Sequence, residues 1–131
     1  MSSGCSSPTA PSITTWSGTL TPRPPARVAG NVGAVSRSGQ TSASIQLEGG
    51  DSGVVYAWRI LSGSCASPGE DVVGKAVYPE MTTGLSGTGE AEATLARELD
   101  YQGTYAAWVF RISPADGSEA VAACGEMDRT R

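Results

Sequence analysis

The chain has 131 residues, which is enough for one domain with one hydrophobic core. Its 17 glycines and 8 prolines favour short strands joined by turns over packed helices, and its net charge of −4 argues against nucleic acid as a partner. Histidine is absent, which excludes Ser-His-Asp and Cys-His catalysis and removes the commonest transition-metal ligand. No apolar run is long enough for a transmembrane helix, so no membrane-spanning segment is expected.

Residues 1–26 are rich in Ser, Thr and Pro, and they are predicted to form an N-terminal arm or tether ahead of a β-domain over residues 27–131. Two interpretations of the second half of the arm remain open. In the first, residues 14–20 add a strand to the domain's own sheet. In the second, Trp16 anchors the arm on a partner.

From Arg27 onward, strand-like runs alternate with turn residues at the spacing of an all-β barrel or sandwich of about eight antiparallel strands. The last two runs are joined by Pro-Ala-Asp-Gly-Ser, in which Asp-Gly is a strong hairpin signal. The glycine-punctuated segment 84–89 is predicted to be a turn or bulge. The runs at residues 27–35, 42–48 and 54–61 are predicted to form a three-strand meander. Further strand-like runs cover residues 71–79, 90–98, 104–112 and 119–127.

Cys65 follows one predicted strand and Cys124 lies inside the last one, so a bridge between them would fasten the intervening loop to the barrel. Closing so long a loop contributes roughly 4 kcal/mol by the chain-entropy estimate. The alternative is a pair of reduced, buried cysteines. A structural disulfide would imply an oxidising compartment.

Cys5 is left over, and it follows small residues and precedes a Ser/Pro-rich segment. This pattern looks like the start of a mature bacterial lipoprotein, which makes Cys5 a candidate lipid anchor. The expected location is then the periplasmic or extracellular side of a bacterial envelope, in association with the membrane. The alternative is a free, exposed thiol.

The segment Tyr-Ala-Trp-Arg-Ile-Leu-Ser-Gly-Ser-Cys at 56–65 resembles a strand and turn of the copper/zinc superoxide dismutase family, in which a His-x-His pair precedes the disulfide cysteine. In that register Arg59 and Leu61 occupy the two histidine positions. Near the C-terminus, Ala-Cys-Gly at 123–125 resembles the family's second cysteine motif. There Phe110 falls on the third copper histidine, and Val121 falls on the active-site arginine.

The resemblance covers about residues 27 to 127 and implies a Greek-key β-barrel that has lost its metal ligands. The loop over residues 67–83 offers Glu70, Asp71 and Glu80 in place of zinc histidines. Copper redox cycling needs several nitrogen donors, so dismutase activity, metals and other cofactors are not expected. An unrelated immunoglobulin-like sandwich is the chief alternative fold.

Trp108 and Phe110 are two residues apart on a predicted strand, so both side chains project from the same face, and the resemblance sets that face beside Leu61. Aromatic side chains near an exposed arginine such as Arg59 or Arg111 are typical interface anchors. These residues are therefore partner-contact candidates. The alternative is that a loop or the arm covers them as ordinary core.

The hypothesis that follows is a non-catalytic interaction module. It would be a lipid-tethered, extrinsic accessory subunit that stabilises a larger envelope membrane complex of photosynthetic or respiratory type. One alternative is residual superoxide or copper handling through Cys5, Met81 and Met127. The other is a free-standing envelope domain that binds a peptide or glycan.

Overall fold

The computed structural model describes residues 13–74 and 77–130 of the chain, and it confirms the prediction of an all-β, antiparallel fold. Within these residues there is no α-helix. Nine strands follow one another along the chain: β1 Thr14–Pro22, β2 Ala29–Arg37, β3 Gln40–Glu48, β4 Val55–Gly63, β5 Pro68–Asp71, β6 Met81–Thr82, β7 Gly89–Leu95, β8 Tyr105–Ile112 and β9 Glu119–Thr130.

The strands form one curled sheet in the order β5-β4-β8-β9-β1-β2-β3-β7, with β6 paired to β4 outside this path. Although β4 follows β3 in the chain, it crosses to the other half of the sheet and lies beside β8, so the predicted meander is wrong at its third strand. Out-of-sequence connections of this kind separate Greek-key arrangements from simple meanders. The curled sheet is therefore barrel-like, and the chain passes from one half of it to the other between β3 and β4.

The glycine-punctuated segment after β6 is a turn, as the sequence predicts. The N–H of Gly84 donates to the carbonyl of Thr88 at 3.0 Å, which closes the turn between β6 and β7. Gly87 has φ +75°, and a Cβ there would lie 2.0 Å from the carbonyl oxygen of Gly50. This close approach requires glycine, and it holds the turn against the loop between β3 and β4.

The concave side of the sheet encloses the main hydrophobic core, and strict alternation along the strands directs side chains into it. β3 is the clearest example because every second residue is buried. On β4 the buried inward residues include Trp58 and Ile60, and on β8 they include Val109. The inward residues of β3 are Thr41, Ala43, Ile45 and Leu47.

β1 lies inside the sheet, between β9 and β2, and it is not part of a separate arm. Trp16 is only 1% exposed, and its ring meets that of Tyr105 edge to face at 5.2 Å. The interpretation of Trp16 as a partner anchor is therefore corrected. Its side chain packs in the domain's own core. Leu20 is buried on the same side of β1, as alternation along the strand requires.

The predicted bridge is present: Cys65 and Cys124 are joined, with their Cα atoms 6.0 Å apart. Cys65 lies in the loop after β4, and Cys124 is a buried residue of β9. The N–H of Cys65 also donates to the Glu126 carboxylate at 3.2 Å. The disulfide thus fastens the β4–β5 loop over the convex side of β8 and β9.

Residues 13–74 and 77–130 contain no helix that is long and apolar enough to cross a bilayer.

Candidate functional site

Residues of β4 and β8 form an aromatic and cationic cluster on the convex side of the sheet. The two strands are antiparallel neighbours, with Arg59 opposite Trp108 and Leu61 opposite Ala106. Alternate residues share a face, so the side chains of Arg59, Leu61, Trp108 and Phe110 all project away from the main core. We call these four residues the outer patch.

The two aromatic rings of the outer patch are stacked, with centroids 6.4 Å apart and planes 16° apart. Trp108 is 6% exposed, because the Cys65 loop and Arg23 cover it. The Arg23 guanidinium lies 5.5 Å from the Trp108 ring centroid and donates to the Cys65 carbonyl at 3.2 Å. Phe110 and Leu61 stay partly exposed beside it. One aromatic is therefore covered and the other is accessible.

Arg59 occupies the centre of the outer patch and is electrically paired. Its guanidinium carbon lies 4.2 Å from the centroid of the Phe110 ring, and one of its nitrogens forms an ion pair with Glu119 at the start of β9. The two side chains are only 14% and 20% exposed. At this depth the charges are partly desolvated, so the pair is screened less than a surface pair would be.

Glu119→Gln is expected to lower the free energy of unfolding by about 1–2 kcal/mol, because it removes the paired carboxylate from a largely buried Arg59. Urea denaturation measures the change. The matched control is Asp51→Asn, which removes the partner of Arg111 in a pair whose side chains are 48% and 71% exposed. That variant should lose less than about 1 kcal/mol. Equal losses in the two variants would contradict the partial burial of the Arg59 pair.

The three positions that the resemblance assigns to copper ligands come together on one face. They carry a guanidinium, a hydrocarbon and a phenyl ring at Arg59, Leu61 and Phe110, and none of these side chains offers a lone pair to a metal at neutral pH. Val121, the cross-strand partner of Phe110, is 40% exposed and adds apolar surface. Across residues 13–74 and 77–130, no group of three or more Cys, Asp or Glu side chains could hold a metal ion.

The acidic residues of the loop over residues 67–83 do not converge on a common point. Glu70 and Glu80 are exposed, while the Asp71 carboxylate accepts the Val73 N–H at 3.3 Å and the Tyr78 hydroxyl at 3.5 Å. Burial raises the pKa of Asp71, because the charged form loses solvent. The Asp71 carboxylate therefore stabilises its own loop through these two hydrogen bonds.

Burial also raises the pKa of Tyr78 to about 12, from its usual 10.0. The folded-state pKa lies above the unfolded value, so this contribution to stability is complete below pH 10 and is lost as the pH rises toward 12. Phenolate absorbance during alkaline titration should therefore show a late step that Tyr78→Phe removes. A wild-type titration that is complete below about pH 11 would contradict the burial of this hydroxyl.

Arg111 does not join the outer patch, which corrects its place among the partner-contact candidates. Its cross-strand partner is Tyr56, an inward-facing residue of the core, so Arg111 projects from the opposite side of β8 to Phe110. There its guanidinium pairs with Asp51 at 3.0 Å. The sequence did not indicate that Arg23 and Glu119 contact the outer patch. Arg23 lies in the segment interpreted as an arm, and Glu119 is on β9, which is separated from Arg59 on β4 by β8.

Other predicted residues are distributed as follows. Cys5, the candidate lipid anchor, lies outside the described residues. Met81 and Met127 are 3% and 5% exposed and belong to the main core, so both thioethers serve packing. Comparison of the chain with protein-family models and with curated proteins finds no match.

Proposed function

We propose that this chain is a non-catalytic interaction module with a superoxide dismutase-like barrel. A lipid on Cys5 holds it at an envelope membrane, on the periplasmic or extracellular side. There it serves as an extrinsic accessory subunit that binds and stabilises a larger membrane complex of photosynthetic or respiratory type. The interaction surface is the outer patch.

The observation that carries the proposal is the composition of the outer patch. A partly exposed Phe110 stacks with Trp108 and also lies against the Arg59 guanidinium, with Leu61 on the neighbouring strand. Trp, Phe and Arg are the side chains that dominate binding energy at protein interfaces. The rings are held in place by the disulfide loop and by the Glu119 ion pair, so little side-chain entropy is lost when a partner covers them.

The superoxide dismutase-like ancestry is part of the same proposal, and two features support it. The first is the out-of-sequence strand order, in which β4 lies beside β8. The second is the disulfide that ties the loop after β4 to the last strand. On this interpretation a surface that once held a metal has become an apolar contact surface, which changes the chemistry and leaves the scaffold intact.

The tether places a limit on where the partner lies. Seven residues separate Cys5 from Ile13, the first described residue, and the chain from Cys5 to Ile13 spans at most about 30 Å when fully extended. A barrel anchored through Cys5 would therefore stay within about one domain diameter of the lipid surface. The disulfide agrees with an oxidising compartment on that side of the membrane.

A pull-down from native membranes in mild detergent tests the proposal. The wild-type chain is compared with Cys5→Ala, with Phe110→Ser in the outer patch, and with the control Val35→Ser, whose residue is 39% exposed on β2. We expect one membrane complex to co-elute with the wild type and with Val35→Ser. Phe110→Ser should reduce its yield by about tenfold, and Cys5→Ala should release the chain from the membrane.

The proposal fails if no defined complex co-elutes, or if Phe110→Ser and Val35→Ser retain the same amount while both stay folded by circular dichroism. If the Cys5→Ala variant stays in the membrane fraction after the complex has been dissociated, Cys5 is not the membrane anchor. Stoichiometric copper in the native protein would instead favour the alternative of residual copper handling.

A further inference from the structure

A second surface of the barrel lies at one end of the sheet, where a cleft of about 460 Å³ opens. It is lined by residues 25–27, 49–51 and 120–122, together with Tyr56 and Arg111. We call it the end cleft. Its volume falls within the range of small-molecule sites, about 300–1,000 Å³.

The charged groups of the end cleft leave one cation uncompensated. Arg111 is paired with Asp51 at 3.0 Å. Arg27 is exposed and lines the same cleft, and none of the salt bridges between described residues includes it. Two arginines and one aspartate therefore line the end cleft, and the surplus is one positive charge.

The Tyr56 hydroxyl adds a neutral donor to the end cleft. Tyr56 lines the cleft, and a phenol can donate its proton to an acceptor there. Burial raises the pKa of Tyr56, so the hydroxyl stays protonated throughout the neutral range. A hydroxyl proton beside two guanidinium groups suits an anionic oxygen acceptor.

The opposite wall of the end cleft is apolar. It consists of residues 120–122 at the start of β9, where Val121 is 40% exposed. A ligand with one anionic end and one hydrocarbon end would satisfy both walls. Asp51 would repel a dianion such as a phosphate ester, so a single carboxylate fits the charge balance better.

We propose that the end cleft binds a monocarboxylate with an apolar body, whose carboxylate is held by Arg27, Arg111 and the Tyr56 hydroxyl while its hydrocarbon part packs on Val121. The carboxylate can belong to a free acid or to the C-terminus of a peptide that ends in an apolar residue. Val121 borders both the end cleft and the outer patch, but the inference does not depend on the proposed function.

Amide chemical-shift titration of the full chain tests the inference with hexanoate as the small acid and 1-hexanol as its uncharged counterpart. A second arm uses acetyl-Gly-Ala-Leu with a free carboxyl terminus and the same peptide as the amide. We expect saturable shifts at residues 49–51 and 120–122 with a carboxylate probe and none with its neutral counterpart. The probe that binds more tightly identifies the source of the carboxylate.

Arg27→Gln should weaken binding of the carboxylate probe by about five- to tenfold, because it removes one charge-assisted contact in a solvent-exposed cleft. Arg37→Gln is the matched control, since Arg37 ends β2, outside the cleft, and it should leave the affinity unchanged. The inference is overturned if neither carboxylate gives saturable shifts, if the alcohol or amide binds equally well, or if Arg27→Gln binds like the wild type.

Discussion

Trp16→Ala is expected to lower the free energy of unfolding by about 3–5 kcal/mol, because Trp16 is among the largest fully buried side chains. Trp16 is 1% exposed on the inner strand β1, and its replacement leaves a cavity beside Tyr105 between β9 and β2. Because small domains are stable by only about 5–15 kcal/mol, the variant should be close to unfolding at 37 °C. Urea denaturation followed by circular dichroism measures the loss.

The control for Trp16→Ala is Val35→Ala on the adjacent strand. Val35 pairs with Thr15 and is 39% exposed, so its truncation should change stability by less than about 0.5 kcal/mol. If Trp16→Ala were as stable as Val35→Ala, β1 would not be an inner strand, and Trp16 would again be available as a partner anchor.

Loss of the disulfide is the second large effect that we expect. The bridge closes a loop of 59 residues between Cys65 and Cys124. The chain-entropy estimate for a loop of this length is about 4 kcal/mol. Cys65→Ala/Cys124→Ala should therefore melt roughly 15 °C below the oxidised wild type. The outer patch should also become more mobile, because the loop that covers Trp108 is no longer fastened to β9.

The wild type treated with a thiol reductant provides the comparison for the disulfide variant. Reduction should bring the melting temperature of the wild type close to that of the double variant, whose own melting temperature should not respond to the reductant. A wild type that melts at the same temperature with and without reductant, while the bond is verified as broken, would contradict the stapling role.

Much of the sheet is predictable because period-2 alternation and turn chemistry are local signals. The hairpin of β8 and β9 follows from Asp-Gly at 116–117, and β3 follows from its alternating pattern. A strand at the position of β1 was one of two open interpretations, because the Ser/Thr/Pro composition around it also indicates an arm. Only its pairing with β9, which is more than a hundred residues away in the chain, gives Trp16 a core to enter.

The candidate site was predictable in part, for a similar reason. Alternation placed Trp108 and Phe110 on one face, and the structure confirms that they stack there. Alternation also places Arg111 on the face of β8 opposite to Phe110, where it lines the end cleft. Coverage of Trp108 by Arg23 depends on how the residues after β1 pass the Cys65 loop, and no local pattern reports that contact.

The outer patch and the end cleft differ in chemistry, and the two binding partners that we propose differ accordingly. The outer patch offers stacked rings and a neutralised arginine, which suit a protein surface that excludes water. The end cleft offers an unpaired charge and a hydroxyl donor above a small apolar wall, which suit a single anionic group. Leu61→Ser in the outer patch should therefore leave carboxylate binding unchanged, and Arg27→Gln in the end cleft should leave partner binding unchanged.

We propose that the outer patch directly contacts a partner protein in a membrane complex. A photo-reactive phenylalanine analogue at position 61, with the same analogue at position 35 as the control, measures that contact in intact cells. We expect one covalent adduct to one membrane-complex subunit from position 61 and none from position 35. No adduct from position 61, or the same set of adducts from both positions, would contradict the claim.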